Sequence, residues 1–168
     1  MLLPVIMCLY GCPYSSPYKL DDEPTITTDD AILGHWETVI TTDKGNQQPV
    51  KMMIGKKSEM EYAISFTGYL NDSKFSGYIK EDSIAGTAFI SMINDLSFLN
   101  ITINNQNFIA RLIYEDNKLS LLPLAERFTA KYIRANAELR TVVEFHFKTR
   151  LYPVYDDASS LKAMVRVN

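Results

Sequence analysis

Between Met60 and Thr67, residues Met60, Tyr62, Ile64 and Phe66 alternate with Glu61, Ala63, Ser65 and Thr67. An extended strand turns successive side chains to opposite faces, so a period of two demands a sheet with one face buried; a helix repeats its apolar positions at three and four. Similar short stretches run over 34–40, 50–56, 75–80, 84–92, 96–104, 108–115 and 119–122. They are punctuated by turn-forming runs such as Lys57-Ser58-Glu59, Asn71-Asp72-Ser73, Glu81-Asp82-Ser83, Asn94-Asp95, Asn105-Gln106 and Asp116-Asn117. Such stretches in sequential order predict an antiparallel meander, and closing it removes the two open edges. Gly68, Gly77 and Gly86 fit bends where the sheet coils. The expected fold is mainly β: an up-and-down antiparallel barrel of about eight strands.

Pro123 ends the series and the period changes. Residues 124–133 suit a short helix. Asn136 is placed to cap a longer one reaching about Lys148, with Leu139, Val142, Val143, Phe145 and Phe147 as its apolar side and Arg140, Glu144 and Lys148 as its polar side. Pro153 and Asp156-Asp157 break the chain before a last strand over 161–167. Ahead of the first strand, Asp29 to Leu33 reads as one acid-capped helical turn halted at Gly34.

The two cysteines, Cys8 and Cys12, both lie near the start. The rest of the chain therefore has no disulfide framework, thiol nucleophile or cysteine-ligated metal. Residues 2–10 are an apolar run broken by Pro4, shorter than the about 20 residues a spanning helix needs and suited to the core of a signal peptide. The run ends in Leu9-Tyr10-Gly11-Cys12, which resembles a bacterial lipobox: an aliphatic residue, a small residue before the scissile bond, then the cysteine that is diacylated. Met7 before Cys8 is too large for that role. Two acyl chains, palmitate among them, would anchor Cys12 stably to a membrane. Pro13 rather than Asp after it favours, by the same resemblance, the outer membrane, facing periplasm or surface. An ordinary signal peptide, or a buried N-terminal strand with an incidental cysteine, is the competing reading. With Pro13, Pro17 and Pro24 among Ser and Asp residues, the next segment reads as a tether. The expected organisation is signal peptide over 1–11, lipidated cysteine and tether over 12–28, and barrel with C-terminal helix over 29–168.

Net charge is −3 and the pI about 5.4, and Lys56-Lys57, Lys131, Arg134, Arg140, Lys148 and Arg150 are scattered, so no basic patch suggests nucleic acid. His35 and His146 are the two histidines; the first should point outward, opposite Trp36, and the second sits on a helix boundary. Carboxylates concentrate in turns: Asp72, Glu81-Asp82, Asp95, Glu115-Asp116 and Asp156-Asp157. No nucleophile elbow, phosphate loop or dinucleotide fingerprint is present. An enzyme, a cofactor and a metal site are not expected; hydrolase-like chemistry ranks last among the alternatives.

A helical turn, then Gly34-His35-Trp36 opening a run of meandering strands, then a helix and a final strand, resembles the lipocalin or calycin plan, including the lipocalin-like lipoproteins of bacteria. The family's Thr-Asp-X-X-Tyr motif has no counterpart. The resemblance implies that Gly34 and Trp36 close one barrel end and that a late arginine, Arg166 first and Arg150 second, packs across the indole, an arrangement worth about 0.5–2 kcal/mol. Aromatic residues either fill the core or, at Tyr62, Phe66, Phe75 and Phe89, line a mouth for a small hydrophobic ligand. The expected role is a non-enzymatic, membrane-anchored envelope lipoprotein that holds such a ligand or serves as an accessory subunit of an envelope complex. The alternative is a protein-interaction or inhibitor module acting through loops or the C-terminal helix.

Replacing Cys12→Ala is expected to abolish labelling by a palmitate analogue and to shift the protein from the membrane to the soluble fraction of its host; unchanged labelling refutes the anchor.

Overall fold

A computed structural model describes residues 15–41, 45–68, 83–125, 133–149 and 154–167. Its elements are β1 (Ser15–Ser16), β2 (Gly34–Thr41), β3 (Gln47–Lys56), β4 (Tyr62–Thr67), β5 (Ser83–Ile93), β6 (Leu96–Ile103), β7 (Gln106–Glu115), β8 (Lys118–Pro123), α1 (Asn136–Thr149) and β9 (Leu161–Val167). From β2 to β8 each strand pairs antiparallel with the next, and β9 lies between β8 and β2, closing an eight-stranded barrel. The turn chemistry is local. Asn104-Asn105 and Asp116-Asn117 both hold positive φ at each central position, as two-residue hairpins that follow strand twist require.

Two strand assignments change. β4 pairs directly with β5, from Tyr62↔Ala88 to Thr67↔Ser83, so the strand expected over 75–80 does not lie between them. Those residues, with Gly77 and the Asn71 turn, lie outside the described residues, as do Lys131, Arg150 and most of the helix expected over 124–133. The eighth stave is instead β9, which follows the helix. Its inward residues, Leu161 and Met164, are three apart, which plain alternation forbids. A bulge resolves this: Leu119 and Leu121 of β8 face Met164 and Leu161, so β9 carries one extra residue. Ala163 within it takes a positive φ of 51°, and its N–H is held by Ser120 Oγ at 2.8 Å.

Side chains alternate between two cores. The inner core fills the barrel with residues such as Trp36, Met52, Ile64, Leu99 and Leu119. The outer core lies against β5–β7, where Ile93, Phe98 and Ile109 meet Leu139 and Val143 of α1 and Leu20 of the N-terminal segment. Phe147 packs edge-on to Phe98, ring centroids 5.3 Å apart. Phe145, expected on the apolar side of the helix, is 56% exposed: a step of two from Val143 turns it about 200° around the axis.

The segment expected as a tether over 12–28 is docked on the barrel from Ser15 onward. Ser15 pairs with Phe108 and Ser16 with Asn107, taking the edge of β7 where β8 has ended. The chain then straps across the outer wall. Leu20 is buried, and its N–H donates to Asn100 Oδ1 at 2.8 Å, while Asn100 Nδ2 donates to Ser91 Oγ at 2.7 Å. Asn136 is drawn into the same contact: its Oδ1 accepts from the Lys19 N–H at 3.0 Å and its Nδ2 donates to Asp22 at 2.7 Å. It therefore does not cap its helix; Glu138 reaches back to the Arg134 N–H at 2.7 Å. Arg140 pairs with Asp21 at 2.6 Å and also donates to the Met92 carbonyl.

Because Asn100 is fully buried, Asn100→Ala leaves the Leu20 N–H without its acceptor and Ser91 without its donor. A loss of about 2–4 kcal/mol is expected, read as a lower urea midpoint at unchanged slope; a loss under about 0.5 kcal/mol would show that the strap is held otherwise.

Candidate functional site: the two ends of the barrel

One end is closed from beneath. Asp29 accepts from the Ala31 N–H at 2.8 Å and starts a 3-10 turn over Asp30–Ile32 that lies across the opening. Gly34 follows with φ of 128°, a conformation L side chains rarely adopt. Trp36 is wholly buried, and its Nε1 donates to the Ile32 carbonyl at 2.9 Å. Directly opposite in the β2–β9 register is Arg166, whose guanidinium carbon sits 4.8 Å from the centre of the indole and whose Nη2 donates to the Ala31 carbonyl. Tyr114 meets the indole edge-on at 6.0 Å. One arginine thus ties the last strand to both the tryptophan and the turn.

Tyr62 belongs to this closed end. Its hydroxyl accepts from the Asp29 N–H at 2.6 Å. Burial pushes its ionisation above the usual 10.0, with the nearby Asp29 and Asp30 carboxylates adding to the rise and the Asp29 hydrogen bond opposing it. Tyr62 is a strut between the plug and the wall, and does not line a ligand mouth.

The other end holds a partly open apolar cavity of about 70 Å³. Phe66, Ile84, Ile103, Phe108, Leu121 and Leu161 line it where their strands approach that rim, with Val50, Ile101, Ala110 and Pro123 deeper or alongside. Ser159 is the polar residue of the lining, and its Oγ is occupied by Asp156 Oδ2 at 2.6 Å. Gly86, beside Ile84, lets β5 and β6 close in: a Cβ there would collide with the Thr102 carbonyl oxygen and crowd Ile103. Among the described residues the lining contains no titratable side chain. Such a surface can hold an apolar group by shape and exclusion of water.

Of the four aromatics expected at a mouth, Phe66 lines the cavity. Tyr62 shares its face but lies at the opposite end of β4. Phe89 faces outward, because Ala88 and Ile90 take the inward parity of β5; Lys19 Nζ sits 5.5 Å from the centre of its ring. Phe75 lies outside the described residues, as does Cys12. Ile84, Ile103, Phe108 and Leu161 were not singled out from sequence; only strand order and register bring these inward residues to one rim. His35 is exposed on the outer wall, opposite Met53 and Val167, as its position beside Trp36 implies. His146 sits half-buried on α1, beside the exposed ring of Phe145. Among the described residues no group of three His, Cys, Asp or Glu could hold a metal ion, and no helix is long and apolar enough to cross a membrane.

A phenol whose folded ionisation is raised contributes stability that is intact below the unfolded value near 10.0 and is lost as pH rises through the folded one. Tyr155, raised by its own burial, acts in the same direction. Tyr62→Phe is expected to cost about 1 kcal/mol at neutral pH through the lost Asp29 bond, yet to make the alkaline fall in melting temperature shallower. An unchanged alkaline limb would remove Tyr62 from that linkage.

No protein-family model and no curated protein sequence matches this chain. Among solved structures it is similar to a redesigned β barrel, at 13% identity and a TM-score of 0.39, over 62% of this chain and 90% of that one. The barrel described above stands on its own strand pairings.

Proposed function

We propose that the protein is a lipid-anchored barrel of the bacterial cell envelope, lipocalin-like in plan and non-enzymatic in role, that takes a small apolar group into the cavity at its open end. The observation that carries the ligand reading is the composition of that cavity: about 70 Å³ lined, among the described residues, almost wholly by aliphatic and aromatic carbon, at the end opposite the Trp36 plug. Whole drug-sized ligands occupy about 300–1,000 Å³, so the fit is to one ring or to the end of a hydrocarbon chain. The described lining is apolar apart from Ser159, which favours recognition by shape. The anchor rests on Leu9-Tyr10-Gly11-Cys12, and the outer membrane is its proposed address on the strength of Pro13. A partner-docking role for the same barrel has one observation in its favour, the exposed Phe145 on the outer side of α1.

Ala110 is buried and borders the cavity, so Ala110→Val fills part of it. The variant is expected to gain about 1 kcal/mol, raising the melting temperature by a few degrees, and to lose the apolar mass that native mass spectrometry should find on the gently extracted wild type. Wild-type protein carrying no such mass, with the variant merely stabilised, would make the cavity a packing void and overturn the ligand reading.

A further inference from the structure

We infer that the open rim of the barrel faces the bilayer and the Trp36 end points away from it, so that the cavity opens onto lipid. The inference rests on the proposed lipidation of Cys12, and the strap supplies the geometry. Ser15 is fixed beside Phe108, which lines the cavity and lies two residues from Gln106, where β7 leaves the rim. Cys12 precedes Ser15 by three residues, and an extended chain advances at most about 3.6 Å per residue, so the anchor lies within about 11 Å of Ser15. Glu115, at the closed end of β7, is seven residues from Phe108, or about 23 Å along the strand. The anchor can reach the rim and cannot reach the plug. The strap leaves little freedom to swing, since Asn100 and Arg140 hold it down within a few residues of Ser15.

Charge distribution among the described residues agrees. At the closed end Lys57 pairs with Glu61 at 3.2 Å and Lys56 with Glu59 at 3.5 Å, leaving Asp29, Asp30, Asp95, Glu115 and Asp116 in excess over Lys118 and Arg166. Anionic headgroups repel that pole. Among the described rim residues the turn Asn104-Asn105-Gln106 is uncharged, and the nearby Asp157 is offset by Lys162 at 2.9 Å. The occupant of the cavity is accordingly drawn from the acyl chains of the membrane rather than from the aqueous phase.

The test uses the mature lipidated protein in vesicles of phosphatidylethanolamine and phosphatidylglycerol carrying a nitroxide headgroup lipid. With Cys12 blocked as a thioether, Gln106→Cys at the rim or Lys118→Cys at the closed end supplies one thiol for a fluorophore. Labelled Gln106→Cys is expected to be quenched several-fold more strongly than labelled Lys118→Cys, and matching far-ultraviolet spectra check that both variants keep the fold. Equal or reversed quenching in protein that floats with vesicles overturns the orientation while leaving the anchor intact. Wild-type protein that does not float overturns the lipid reading and the orientation with it.

Discussion

A sheet of sequential strands leaves unsatisfied N–H and C=O groups along its first and last edges, and here both edges are answered by one strand that the chain makes last. β9 takes the free side of β2 and of β8 together. It can do so because an extra residue at Ala163 rephases it, so that Leu161 and Met164 both turn inward despite their odd spacing. The same seven residues carry Arg166, which holds Trp36 and the turn beneath it. Closure of the wall and closure of one end are therefore a single event, and both wait for the C-terminal segment.

The wall is not uniform in what it separates. Around β5, β6 and β7 both faces are apolar, one packed inside the barrel and the other against α1 and the strap. Asn100 sits in that outer layer without a route to water and is tolerated because backbone and hydroxyl partners surround it. Around β2, β3 and β9 the outer face meets solvent, and there the partners of the inward residues are His35, Glu37 and Lys51. An ion pair at 2.8 Å between Glu37 and Lys51 on this face is exposed and adds little to stability.

Strands were legible because alternation is written in adjacent residues: Met60 to Thr67 reveals its parity without any partner. The pairing of Trp36 with Arg166 was legible only through the family likeness, since the two are distant in the chain. What escaped local reading has a common cause. Lys19, Leu20, Asp21 and Asp22 look like a spacer by composition, yet their hydrogen bonds run to Asn100, Asn136 and Arg140, which no nearby pattern announces. Phe89 looked available for a ligand because an aromatic in a strand does not declare which face is inside; when both faces are covered, hydrophobicity loses its power to choose. Tyr62 and Phe66 share a face, but a shared face does not mean a shared end, and a strand spanning the barrel delivers them to opposite poles.

The docked strap also bears on how this domain should be handled at the bench. An experimenter who reads residues 13–28 as dispensable linker and starts expression at Asp29 would strip Leu20 from its seat over Ile93, Phe98 and Ile109, and remove the strand that covers the end of β7. The product would keep a barrel yet display a greasy flank and a bare ladder of amides, a combination that invites self-association in concentrated solution.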